Sequence, residues 1–108
     1  MATQGLVTIT RQGKVVMKFI AGCDGMNASK VAAALHRAGT IPGLARAYDM
    51  AQKLGFGSEA SLVVMDAKGI EFHGDGKPSK LYRKTFNQPA FNPRWKCGTA
   101  DHVKIIEL

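Results

Sequence analysis

The sequence predicts an α+β fold: a mostly antiparallel sheet of about five strands with a helix pair on one face. Three observations point there. Two β-branched runs flank a Gln-Gly dipeptide near the N-terminus, two stripes of 3.6-residue period follow between glycines, and further apolar runs close the chain. The order is β-β-α-α-β-β-loop-β. It implies a two-layer sandwich, because the apolar stripes of the helices need a sheet face to cover.

The first run, Gly5 to Arg11, is rich in Thr, Val and Ile, which suits a strand. Gln12-Gly13 makes a tight turn, with glycine supplying positive φ. Lys14 to Ile20 resumes as a second strand, so that residues 5–21 form an antiparallel hairpin. Strict alternation puts Val15, Met17 and Phe19 on one face. Lys14, Val16, Lys18 and Ile20 fall on the other, which the two lysines make wetter.

Gly22-Cys23-Asp24-Gly25 breaks the second strand. Asn27 reads as the N-cap of a helix over residues 28–38, whose Val31, Ala34, Leu35 and Ala38 share a face. Gly39 ends that helix. Thr40 is placed to cap a second helix with Pro42 in its first turn, where a missing N–H costs nothing. Leu44, Ala47, Tyr48, Ala51 and Leu54 form its apolar stripe, and Gly55 stops it. Ser61 to Asp66 is a compact apolar run, expected as a buried central strand with Val63 in the core. Ala67-Lys68-Gly69 turns the chain into a short strand at residues 70–73. Gly74 to Ser79 has loop composition. Residues 80–101 show no period, and Pro89 and Pro93 interrupt them. Val103 to Leu108 reads as a final strand.

The chain has 108 residues, the length of one domain, and 45% of them are hydrophobic, enough for a core without a metal or disulfide. We therefore expect a single α+β domain over residues 1–108. No apolar run reaches the roughly 20 residues of a membrane helix, and the opening residues lack signal-peptide character. A cytoplasmic location and no membrane contact are expected. Cys23 and Cys97 are then expected to be reduced. With three scattered histidines and no close pair of ligands, they give no zinc spacing, so neither metal nor cofactor is expected.

The formal net charge is +7. Such a balance favours an anionic partner, nucleic acid first. The charge is concentrated. Residues 77–96 contain Lys77, Lys80, Arg83, Lys84, Arg94 and Lys96 and no acidic residue, while the rest of the chain has nine basic residues against eight acidic. The same window holds Tyr82, Phe86, Phe91 and Trp95, half of all the aromatic residues. Basic groups neutralise phosphates and aromatic faces stack on unpaired bases. Asn87, Gln88 and Asn92 add donors and acceptors for base edges. The same composition also suits an irregular segment anchored by Phe86 and Trp95 with its lysines in water, or an interface with an acidic protein. The candidate binding residues are Lys77, Lys80, Tyr82, Arg83, Lys84, Phe91, Arg94, Trp95 and Lys96.

Catalytic candidates are sparser. Cys23 lies where a strand meets a helix, a place that lowers a thiol pKa. His36, His73 and His102 are available as bases, with Asp24 or Asp101 to orient one. A turn with a buried thiol accounts for the same residues. Gly74-Asp75-Gly76-Lys77 and Gly55-Phe56-Gly57 lack phosphate-loop spacing and read as turns.

Thr3-Gln4-Gly5-Leu6, followed by Arg11-Gln12-Gly13-Lys14-Val15-Val16-Met17, resembles the N-terminal hairpin of proteasome-type N-terminal-nucleophile hydrolases. That resemblance implies a related fold and a threonine nucleophile at Thr3. The Met-Ala-Thr-Gln-Gly-Leu opening with a small α+β body is also similar to small uncharacterised proteins encoded by phages and prophages. This implies a bacterial or phage origin and an accessory or inhibitory role. The expected function is a small non-catalytic binding protein that uses its basic aromatic segment. The competing expectations are a hydrolase-like enzyme with a cysteine or N-terminal nucleophile, and a homo-oligomer subunit associating through edge strands such as 103–108.

Overall fold

A computed structural model describes residues 3–22, 24–57, 62–68, 70–72, 78–79 and 101–108. Strands β1 (Gly5–Arg11) and β2 (Lys14–Ala21) form the expected hairpin. Both turn residues have positive φ, 54° at Gln12 and 78° at Gly13. Two such residues twist a two-residue turn to match its strands.

The hairpin departs from strict alternation. Ile9 pairs with Met17 but Thr10 pairs with Val15, so one residue of β2 is extra. This bulge exchanges the expected faces of two valines. Val16 packs against the main core with Met17 and Phe19, while Val15 joins Ile20 on the opposite face. An extra residue in one strand reverses the side-chain parity beyond it.

After the helices, β3 (Leu62–Asp66) runs antiparallel to β2. At its end the Asp66 carboxylate accepts backbone N–H bonds from Lys68 and Ile70, at 2.9 and 3.1 Å. That turn delivers β4 (Glu71–Phe72), antiparallel to β3, and β5 (Pro78–Ser79) pairs antiparallel with β4. The last strand, β6 (His102–Glu107), lies beside β1 and parallel to it. The sheet order is β5-β4-β3-β2-β1-β6. The sheet is therefore mixed. Four strands have five residues or more, and two strands of two residues finish one edge. Parallel pairing needs a long connection, which hydropathy along the chain does not reveal. Ser61 and His73, the outer residues of the two expected middle strands, fall outside the described residues.

Helices α1 (Ala28–Ala38) and α2 (Leu44–Lys53) cover one face of the sheet, α1 over β1 and β6, α2 over β3 and β4. The core between them contains Val7, Ile9, Phe19, Val31, Leu35, Ala47, Ala51, Leu62 and Val64. Leu44, Tyr48 and Leu54 pack against it, and the Tyr48 ring lies 5.3 Å from that of Phe72. Gly39 closes α1 with φ 70° and donates its N–H to Leu35. The expected start of α2 is too early. Thr40 and Pro42 precede the helix, and Gly43, with extended backbone, stands before Leu44. A residue preceding proline is pushed away from helical angles, which keeps Ile41 out of a first turn. Ile41 packs on the core instead.

The second face of the sheet is not the wet one expected. Met65 and Ile20 are buried there, with Leu6, Val15 and Val63 packed around them. Lys18 and Thr8, paired in register, are each only 7% exposed. Val63 is half-buried on this face, so the fully buried valine of β3 is Val64, which points to the helices.

Candidate functional site

The described part of the candidate region is the end of the sheet where β1 begins, β2 ends and β6 begins. Gly25 is pressed against the start of β1. A Cβ on it would stand 2.3 Å from the Gln4 carbonyl carbon and 2.3 Å from the Gly5 nitrogen. A Cβ on Gly5 would meet Gly25 at 2.6 Å and the Phe56 ring at 2.7 Å. Two glycines are needed because two backbones touch. The approach is fastened by Gly25 N–H donating to the Thr3 carbonyl at 2.8 Å. Asp24, which leads into a 3-10 turn at Gly25–Asn27, has φ 58°, a left-handed angle that aspartate tolerates better than most residues.

Asn27 does not cap α1 through its side chain. Its amide instead donates to the Gly55 carbonyl at 2.8 Å and ties the start of α1 to the end of α2. Gly55 and Gly57 both have positive φ, and between them Phe56 is fully buried beneath Gly5. The role of Gly25, Gly55 and Gly57 is thus a matter of close packing and backbone angle.

β6 is held to β1 at both ends. Asp101 accepts the Gln4 N–H at 2.9 Å, and Gln4 in turn accepts the His102 N–H at 3.1 Å. At the far end Glu107 accepts the Gly13 N–H at 3.1 Å, and Leu108 N–H donates to Thr10 at 2.8 Å. Asp101 is therefore occupied with backbone, and among the described residues no hydrogen bond links Asp24 or Asp101 to a histidine. His36, in the last turn of α1, and His102, at the start of β6, are both exposed. The described residues bring no three His, Cys, Asp or Glu side chains together as a metal-binding group. Thr3 is partly buried, and its carbonyl serves the Gly25 bond.

The residues expected to bind a partner lie outside the described residues: Lys77, Lys80, Tyr82, Arg83, Lys84, Phe91, Arg94, Trp95 and Lys96. So do Cys23, Cys97 and His73. The flanking strands are described, however, and they are informative. β5 and β6, which bracket residues 80–100 in sequence, are the two opposite edges of the sheet. No family model, curated protein or solved structure matches this chain. No helix among the described residues is long and apolar enough to cross a membrane.

The terminal strand carries one further surface feature. Val103 and Ile105 are exposed, at 44% and 71%, on the outermost strand. Residues 103, 105 and 107 alternate onto a common face, and β6 is an edge of the sheet, as expected for residues 103–108.

Proposed function

We propose that the chain is a small non-catalytic binding protein that engages an anionic partner, nucleic acid, through the basic aromatic window at residues 77–96. The observation that carries this reading is the charge distribution. Six basic residues and no acidic one lie within that window, in a chain whose remaining charges nearly cancel. Four aromatic residues interleave with them, the combination that tracks a phosphate backbone and stacks on bases. Further support comes from topology. The window includes β5, and the chain that follows it leads to β6, the two strands at opposite edges of the sheet. The same proposal places the protein in the cytoplasm, with Cys23 and Cys97 reduced.

The test is fluorescence-anisotropy titration of the full chain with single- and double-stranded DNA and RNA at two salt concentrations. Binding that weakens steeply with salt is the expected outcome, because released counterions supply much of the free energy. Absence of binding to all four at low salt removes nucleic acid and leaves an acidic protein surface as the partner.

A further inference from the structure

The outer edge of β6, which no other described strand pairs with, carries the strongest unexplained feature of the described surface. On its inner side, His102 N–H donates to Gln4 and Leu108 N–H to Thr10, and the register with β1 is continuous between them. Alternate residues of a parallel strand bond to one neighbour. The backbone groups of His102, Lys104, Ile106 and Leu108 thus face β1, and those of Val103, Ile105 and Glu107 face outward. A row of outward N–H and C=O groups is a template for another strand.

The two edges of the sheet differ in how they are protected. β5 has two residues and begins with Pro78, which has no N–H to offer. β6 has six residues, no proline or glycine, and no bulge against β1. Among the described residues three large hydrophobic side chains are exposed, and two of them, Val103 and Ile105, are on β6.

We propose that β6 pairs with β6 of a second copy, antiparallel, about a two-fold axis through Ile105 perpendicular to the sheet. Backbone geometry and charge select this register. Outward-bonding residues must meet outward-bonding residues, so odd-numbered positions face odd-numbered ones. An axis at Lys104 would set Lys104 against Lys104 and Asp101 against Glu107, like charges directly opposite. An axis at Ile106 would leave Val103 without a partner. With the axis at Ile105, Ile105 faces Ile105 of the second copy, Val103 faces Glu107, and Lys104 faces Ile106. This register opposes no like charges and forms about six inter-chain hydrogen bonds. It also joins Val103 and Ile105 of both copies into one apolar strip, continuous with Leu6, the residue paired with Val103. The partner is a second copy of this chain.

Sedimentation velocity of the full chain over a wide concentration range should show a dimer that Ile105→Asp abolishes, since that variant sets two carboxylates face to face. Ile105 is 71% exposed, so the fold should be unaffected, which circular dichroism checks. Register is tested separately in a Cys23→Ser, Cys97→Ser background. Residues opposite in a hydrogen-bonded pair have Cα atoms about 5.5 Å apart, within the span of a disulfide. Ile105→Cys should cross-link on oxidation and Lys104→Cys should not. A wild-type chain that is monomeric throughout overturns the proposal. So does a dimer that survives Ile105→Asp, or faster cross-linking through position 104.

Discussion

Replacing Gly25 by alanine should be the most damaging single-methyl addition among the described glycines that lack a positive φ. The new Cβ would meet the Gln4 carbonyl carbon and the Gly5 nitrogen at 2.3 Å, and the Gln4 oxygen at 2.5 Å. Comfortable carbon contacts lie at about 3.5–4.0 Å, so the turn and the start of β1 must separate by more than about 1 Å. All three atoms are backbone, and no rotamer change relieves them. Overpacking of this kind costs about 1–3 kcal/mol. Separation also breaks the 2.8 Å bond from Gly25 to Thr3, worth about 1 kcal/mol net. The lower unfolded-state entropy of alanine returns about 0.5 kcal/mol. The net loss is about 1.5–3.5 kcal/mol. For a domain of this length, with an unfolding entropy of about 2 cal/mol/K per residue, Tm should fall by roughly 7–16 °C. The control is Gly43→Ala, where a Cβ would find nothing within 4 Å and the backbone is already at φ −69°. Its Tm should stay close to wild type in a thermal melt followed by circular dichroism. If Gly25→Ala also melts close to wild type, the close approach of the two backbones is wrong.

Three further substitutions test the sheet and the helix pair. Val64→Asp places a carboxylate in the core facing the helices and should prevent folding, whereas Val63→Asp on the half-buried face should cost only about 1–2 kcal/mol; equal denaturation midpoints for the pair would contradict the orientation of β3. Asn27→Ala removes the bond to Gly55 and should cost about 1 kcal/mol in urea unfolding. A neutral result would mean that this tie between α1 and α2 contributes nothing.

Local signals in the sequence carried most of the local structure. The Gln12-Gly13 turn and the stopping glycines 39 and 55 are legible because each rests on a residue's own backbone preference, whereas the start of α1 follows its apolar stripe, since Asn27 makes no side-chain cap. The bulge in β2 is not legible. Val15-Val16-Met17 is apolar throughout, so either valine can face the core without breaking the hydrophobic pattern. The start of α2 was misplaced because Thr40 and Pro42 satisfy a capping rule that the restriction before proline overrides. The parallel pairing of β6 with β1 depends on contacts between the two ends of the chain, and so does the burial of Lys18 between β1 and β3. No local pattern encodes either. For the candidate site, composition was legible: the basic window stands out by charge alone. That β5 within it and β6 after it are the two edges of the sheet came only with the strand order.

The claim that the basic window carries the binding surface is tested most directly by the salt dependence of nucleic-acid affinity in two matched double variants. Arg83→Ala with Lys84→Ala removes two cations from the window. Lys30→Ala with Arg37→Ala removes two from α1 and leaves the net charge of the protein the same as in the first variant. If both window residues contact phosphates, the slope of log K against log salt should shrink by about 1.4 on single strands and about 1.8 on duplex DNA for the first variant. The second should keep the wild-type slope. Equal loss of slope in both variants would show that net charge, not residues 77–96, governs binding, and would contradict the proposed surface.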